Sequence, residues 1–119
     1  MNRYQQIRFE LAMPNGIPRY LRIYDNEGKT MDRYTVVFTH NFPNRNRKCL
    51  VRAMSKNPKS PQGFSMLEEY NEIIDFPRYS HLGKKITFND LPDDCKDIVI
   101  SDYVNIWNLI EEENDNGTI

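Results

Sequence analysis

The chain has 119 residues, 39% apolar and 12% aromatic, which suits one globular domain that folds without a metal or a disulfide framework. The start lacks an apolar signal core, no stretch approaches the ~18 apolar residues of a membrane span, and Cys49 and Cys95 are the only thiols, so the protein is read as cytoplasmic. Its net charge of −1 conceals a split, since residues 1–60 carry 12 Lys/Arg against 4 Asp/Glu and residues 61–119 carry 4 against 13. One part of the surface favours anions while another resembles one, which points to binding by electrostatic complementarity within the chain, between copies or with a partner.

In chain order, residues 5–13 and 17–25 flank Pro14-Asn15-Gly16, and Asn-Gly between two such runs predicts a hairpin turn. Met13 can itself be an initiator, so residues 1–12 are read as an N-terminal extension. A second turn over residues 25–28 precedes residues 32–40, whose Tyr-Thr-Val-Val-Phe-Thr core is rich in strand formers. A polar loop over residues 41–48 leads into a strand over 49–55, and Asn57-Pro58 with residues 60–63 marks another loop. Ser65 and Glu68 form a capping-box pattern ahead of Met66, Leu67, Tyr70, Ile73 and Ile74, a spacing that predicts a short helix stopped by Pro77. Residues 85–88, after Gly83, read as one more strand.

The last element is the clearest. Asp90 is placed to cap a helix with Asp93 three positions on, and Pro92 is tolerated in a first turn. Cys95, Ile98, Val99, Tyr103, Ile106, Trp107 and Ile110 then recur at three- and four-residue spacing, a stripe that should pack across a sheet. Asp93, Asp94, Asp97, Asp102 and Glu111, Glu112 and Glu113 are assigned to the outer side, and residues 113–119 to a fraying tail. The fold class that follows is α+β: an antiparallel sheet of four or five strands, one long C-terminal helix across it and a short helix in the middle, in a single domain spanning residues 1–119.

Strand alternation sorts the basic residues by face. With Leu21 and Ile23 inward, Tyr20, Arg22 and Tyr24 share the opposite face. With Tyr34, Val36 and Phe38 inward, Arg33 faces outward, and with Val51 and Ala53 inward, Arg52 joins it. Tyr20, Arg22, Tyr24, Arg33 and Arg52 would then form an aromatic and basic platform able to stack bases and hold phosphates, or to clasp an acidic protein helix. The competing reading pairs these arginines with the chain's own acidic half. Gln62, Arg78, His81 and Lys84 supply a second, loop-borne set of ligand contacts. No catalytic or metal-ligating constellation stands out: His40 and His81 are the only histidines, neither has a second His or Cys at ligand spacing, and Asp25 and Asp32 sit in turns where Asp is common for backbone reasons. A non-catalytic protein without cofactors is expected.

Residues 13–26 (Met-Pro-Asn-Gly-Ile-Pro-Arg-Tyr-Leu-Arg-Ile-Tyr-Asp-Asn), 32–39 (Asp-Arg-Tyr-Thr-Val-Val-Phe-Thr), 60–64 (Ser-Pro-Gln-Gly-Phe) and 81–92 (His-Leu-Gly-Lys-Lys-Ile-Thr-Phe-Asn-Asp-Leu-Pro) resemble a group of small proteins carried by bacteriophages and other mobile elements. The likeness covers most of the chain from Met13 onward. It implies a setting, the host bacterial cell, and not an activity. By analogy with small phage proteins such as anti-CRISPR inhibitors and nucleotide sponges, the expected role is counter-defence, by blocking a host defence protein or by sequestering a signalling nucleotide. The alternatives are a small DNA- or RNA-binding regulator of phage genes and a minor nucleotide or nucleic-acid hydrolase. A homodimer pairing a basic face with an acidic helix is a further expectation, and no membrane partner is expected.

Overall fold

The computed structural model describes residues 3, 10–11, 13–39, 49–70 and 82–116, the side chains of Cys49 and of residues 107–116 excepted. Five strands form one antiparallel sheet: β1 Leu21–Asp25, β2 Tyr34–Phe38, β3 Cys49–Met54, β4 Ser65–Tyr70 and β5 Lys84–Ile86, in the order β4-β3-β2-β1-β5. A long helix, α1 Asp93–Asn116, follows. This is the expected α+β class. The β-branched and aromatic run Tyr-Thr-Val-Val-Phe takes the central position as β2, where every residue is buried, because only a strand with neighbours on both edges and cover on both faces rewards five consecutive apolar or half-polar side chains.

Register assigns the faces. Ile23 pairs with Val36 and with Ile86, and Val36 pairs in turn with Arg52, so these residues share the face toward α1. On that face Ile23, Tyr34, Val36, Phe38 and Met54 pack with Cys95, Val99, Tyr103 and Ile106 of the helix. The helical residues are spaced by four, four and three, the stripe that the sequence predicts. Trp107 and Ile110 lie on the helix, but their side chains fall outside the described residues. The opposite face carries a smaller buried cluster of Tyr24, Val37 and Val51, flanked by Tyr70 and Leu82.

Three expectations change. Residues 65–70, expected to begin a short helix, form strand β4, with Met66 opposite Ala53 and Leu67 opposite Arg52. Ile73, Ile74 and Pro77 lie outside the described residues. Helical turns of three residues occur instead at Pro14–Gly16 and at Phe88–Asp90. Asp90 caps the second of these rather than α1: its carboxylate accepts from the Thr87 amide and hydroxyl, both at 2.9 Å, and the turn delivers Phe88 and Leu91 to the core. The helix opens after Pro92, whose carbonyl accepts from the Lys96 amide. The Asn15-Gly16 turn is present, with φ of 57° and 73°, yet β1 begins only at Leu21. Most of the strand expected over residues 5–13 lies outside the described residues, while Glu10 and Leu11 are helical.

Candidate functional site

The basic residues of the first half come first, because their chemistry depends on what already holds them. At the end of the β1–β2 hairpin, Arg33 donates from Nε to Asp25 Oδ1 at 2.8 Å and from Nη2 to Oδ2 at 3.3 Å, and its guanidinium lies 5.2 Å from the Tyr34 ring centroid. The pair holds the Asp25 carboxyl below its ordinary value of 3.8, helped by the Glu27 amide that donates to the same carboxylate at 2.7 Å. Asn26 builds the rest of the turn. Its side-chain oxygen accepts from the amides of Gly28 and Lys29, and its amide donates to Thr30 and to the Asp32 carbonyl. Asp25 and Asp32 are thus committed to the turn.

Arg52 does not face outward. It stands on the α1 side of β3, opposite Val36, and its Nε and Nη2 donate to the two carboxylate oxygens of Asp102 at 2.8 and 2.6 Å. Nη1 reaches Ser65 on β4 at 3.2 Å, so one guanidinium ties the helix to two strands. Asp102, assigned by sequence to the outer side of the helix, is buried. Because Arg52 is on the core side, Val51 and Ala53 are on the other, the reverse of the expected phase.

The five-residue platform is therefore not one surface. Tyr24 is buried in one cluster with Val37 and Val51, with its ring closed to a stacking ligand, and Arg22 is half-buried on the same face, opposite Val37. Tyr20 is exposed and adopts φ of 62°, a left-handed conformation unusual for a bulky side chain. Of the second set, Gln62 is exposed on the β3–β4 loop and Lys84 is exposed on β5, 3.5 Å from Glu27. Arg78 and His81 lie outside the described residues.

The acidic residues behave differently. The side chains of Asp93, Asp94 and Asp97 are 99%, 55% and 64% exposed on the first turns of α1. Lys59 on the β3–β4 loop bridges Asp97 at 3.0 Å and approaches Asp94 at 3.9 Å, a contact that sequence reading missed because nothing local links residues so far apart. Glu68 and Glu69, placed by sequence on a helix, are exposed on opposite faces of β4. Among the described residues no group of three or more His, Cys, Asp or Glu side chains is close enough to hold a metal. No helix among them is long and apolar enough to cross a membrane. Comparison with known proteins finds no matching family model, curated protein or solved structure.

Proposed function

We propose that this protein is a non-catalytic binding protein of a bacteriophage or related mobile element, and that it acts in the host cell by occupying the basic groove of a defence protein with its own acidic surface. One observation carries the choice of surface. Arg33 and Arg52 are held by largely buried carboxylates, whereas Asp93, Asp94 and Asp97, although Lys96 and Lys59 approach them, keep at least half of each side chain in solvent on the first turns of a helix. The same helix continues to Asn116, a span that includes Glu111, Glu112, Glu113 and Asp115, whose side chains lie outside the described residues. Carboxylates repeated along a rigid element offer a basic groove what a phosphate backbone offers. The phage setting rests on the sequence resemblance alone.

A second reading is supported by Tyr20. An exposed aromatic ring on a strained backbone, followed by Arg22, is a usable stacking site for a nucleotide. One experiment separates the two readings. Phages restricted by a panel of bacterial defence systems are plated on cells expressing the protein, its Asp93→Asn/Asp94→Asn/Asp97→Asn variant, or its Tyr20→Ala/Arg22→Ala variant. Rescue of plating that is lost only in the triple-Asn variant is the expected result. Loss only in the Tyr20/Arg22 variant transfers the function to a nucleotide, and no rescue by the parent protein under any system rejects the counter-defence role.

A further inference from the structure

β4 is the outermost strand on its side of the sheet among the described residues, and it presents both apolar and acidic side chains there. Sheet edges are commonly blunted by proline, a bulge or charged side chains, and of these β4 has only the carboxylates of Glu68 and Glu69. Ser65–Tyr70 contains no proline and pairs with β3 residue for residue without interruption, and it leaves Met66 and Leu67 43% and 42% exposed. The direction of its backbone groups follows from the hairpin. The Ser55 amide donates to the Phe64 carbonyl at 2.9 Å, so Phe64 points its polar groups toward β3. Alternation then turns those of Met66 toward β3 and those of Ser65 and Leu67 away from it.

We infer that β4 pairs antiparallel with β4 of a second copy, about a two-fold axis through Leu67, to give one continuous ten-stranded sheet. An antiparallel two-fold at an edge runs normal to the sheet, so both helices lie on the same side and only residues of like face can oppose each other. That leaves two central registers. Centring on Glu68 sets Glu68 directly against its own copy, with two carboxylates at the shortest cross-strand separation. Centring on Leu67 sets Leu67 on Leu67, Met66 on Glu68 and Ser65 on Glu69, so no carboxylate opposes another. The two Leu67 residues exchange a pair of backbone hydrogen bonds in that register. Glu69 of the second copy arrives at Ser65, beside Nη1 of Arg52, the guanidinium nitrogen that Asp102 does not take. Six residues of strand pairing fall short of the ~1,600 Å² of a standard interface, so the dimer is expected to be concentration-dependent. This inference is independent of the acidic-mimic reading.

Three variants test it. Leu67→Cys should form a disulfide-linked dimer under mild oxidation, because opposed residues of an antiparallel pair stand within the ~4.4–6.8 Å that a disulfide spans, with the cross-linked peptide pair identified by mass spectrometry. Glu69→Cys, which faces Ser65 in this register, should remain monomeric under the same oxidation. Leu67→Pro removes an amide that points away from β3 and so should keep a cooperative melt while reducing the light-scattering mass to that of a monomer at every concentration. A wild-type protein that is monomeric across the concentration series, with no cross-link in the Leu67→Cys variant, overturns the proposal. A cross-link in Glu69→Cys in place of Leu67→Cys overturns the register, and a Leu67→Pro variant that still dimerises places the interface elsewhere.

Discussion

An ion pair taken out of water stabilises a fold only when its geometry is two-pronged and its remaining donors are occupied. Arg52 and Asp102 meet both conditions, with side chains 17% and 7% exposed, two hydrogen bonds between them and the third guanidinium nitrogen on Ser65. Removing one partner leaves the other buried and uncompensated, so Arg52→Ala or Asp102→Ala is expected to lower stability by ~3–5 kcal/mol. Replacing both, as Arg52→Met with Asp102→Leu, should recover most of that loss, since an apolar pair of similar volume needs no partner. Denaturant unfolding of the three variants checks this, and a double variant as unstable as either single one would show that the loss comes from packing rather than charge.

At the scale of elements, the β3–β4 connection is held by its backbone. Ser55 and Phe64 close it, with the Ser55 hydroxyl accepting from the Phe64 amide, and the Ser60 amide donates back to the Asn57 carbonyl. A Cβ on Gly63 would collide with that same carbonyl oxygen, so Gly63→Ala must open the loop and should cost ~1–3 kcal/mol or more. Gly28, at φ of 86° with open space around it, makes the control: alanine there meets backbone strain alone, and the smaller shift in thermal midpoint should separate the two causes. β1, β2, β3 and α1 are legible in the sequence because β-branched runs bounded by turn residues, and a stripe at helical spacing, each have one reading. β4 is not. Met66, Leu67 and Tyr70 fit a helical face as well as a strand, and what decides between them is the open edge of β3 upstream. The face of Arg52 is hidden for a related reason: Leu50, Val51, Ala53 and Met54 are apolar on both sides of β3, both sides carry buried residues, and alternation therefore supplies no phase. With the β3 phase undetermined, alternation gave no basis for adding Arg52 to the platform, whereas it placed the residues of β1 and β2 on the faces they occupy.

Among the described residues, Arg52 with Asp102 and Lys59 with Asp97 join the basic half of the chain to the acidic half, and stability against pH follows from the groups held away from their ordinary titration. Asp25 is lowered by the Arg33 guanidinium and Asp90 by the Thr87 amide and hydroxyl. A carboxylate lowered on folding contributes stability that is present above its unfolded value, near 3.8, and lost as pH falls through the folded one. The alkaline side has the opposite sign. Burial pushes the Cys95 thiol up from 9.0 to about 11 and raises the Tyr34 hydroxyl above 10.0, so the folded state holds those protons longer and stability declines as pH rises through that window. The unfolding free energy should therefore form a plateau between about pH 5 and pH 9 with a falling limb on each side. Asp25→Asn should flatten the acid limb, because an amide beside Arg33 does not titrate. Cys95→Ala should flatten part of the alkaline limb at a modest cost in packing, leaving the shares that belong to Tyr34 and to Lys59, whose ammonium the Asp97 carboxylate holds above its ordinary value. Urea unfolding of the parent protein and both variants at a series of pH values tests the two assignments. An acid limb unchanged by Asp25→Asn would move its origin away from the β1–β2 turn, and an alkaline limb untouched by Cys95→Ala would leave Tyr34 and Lys59 as its sources.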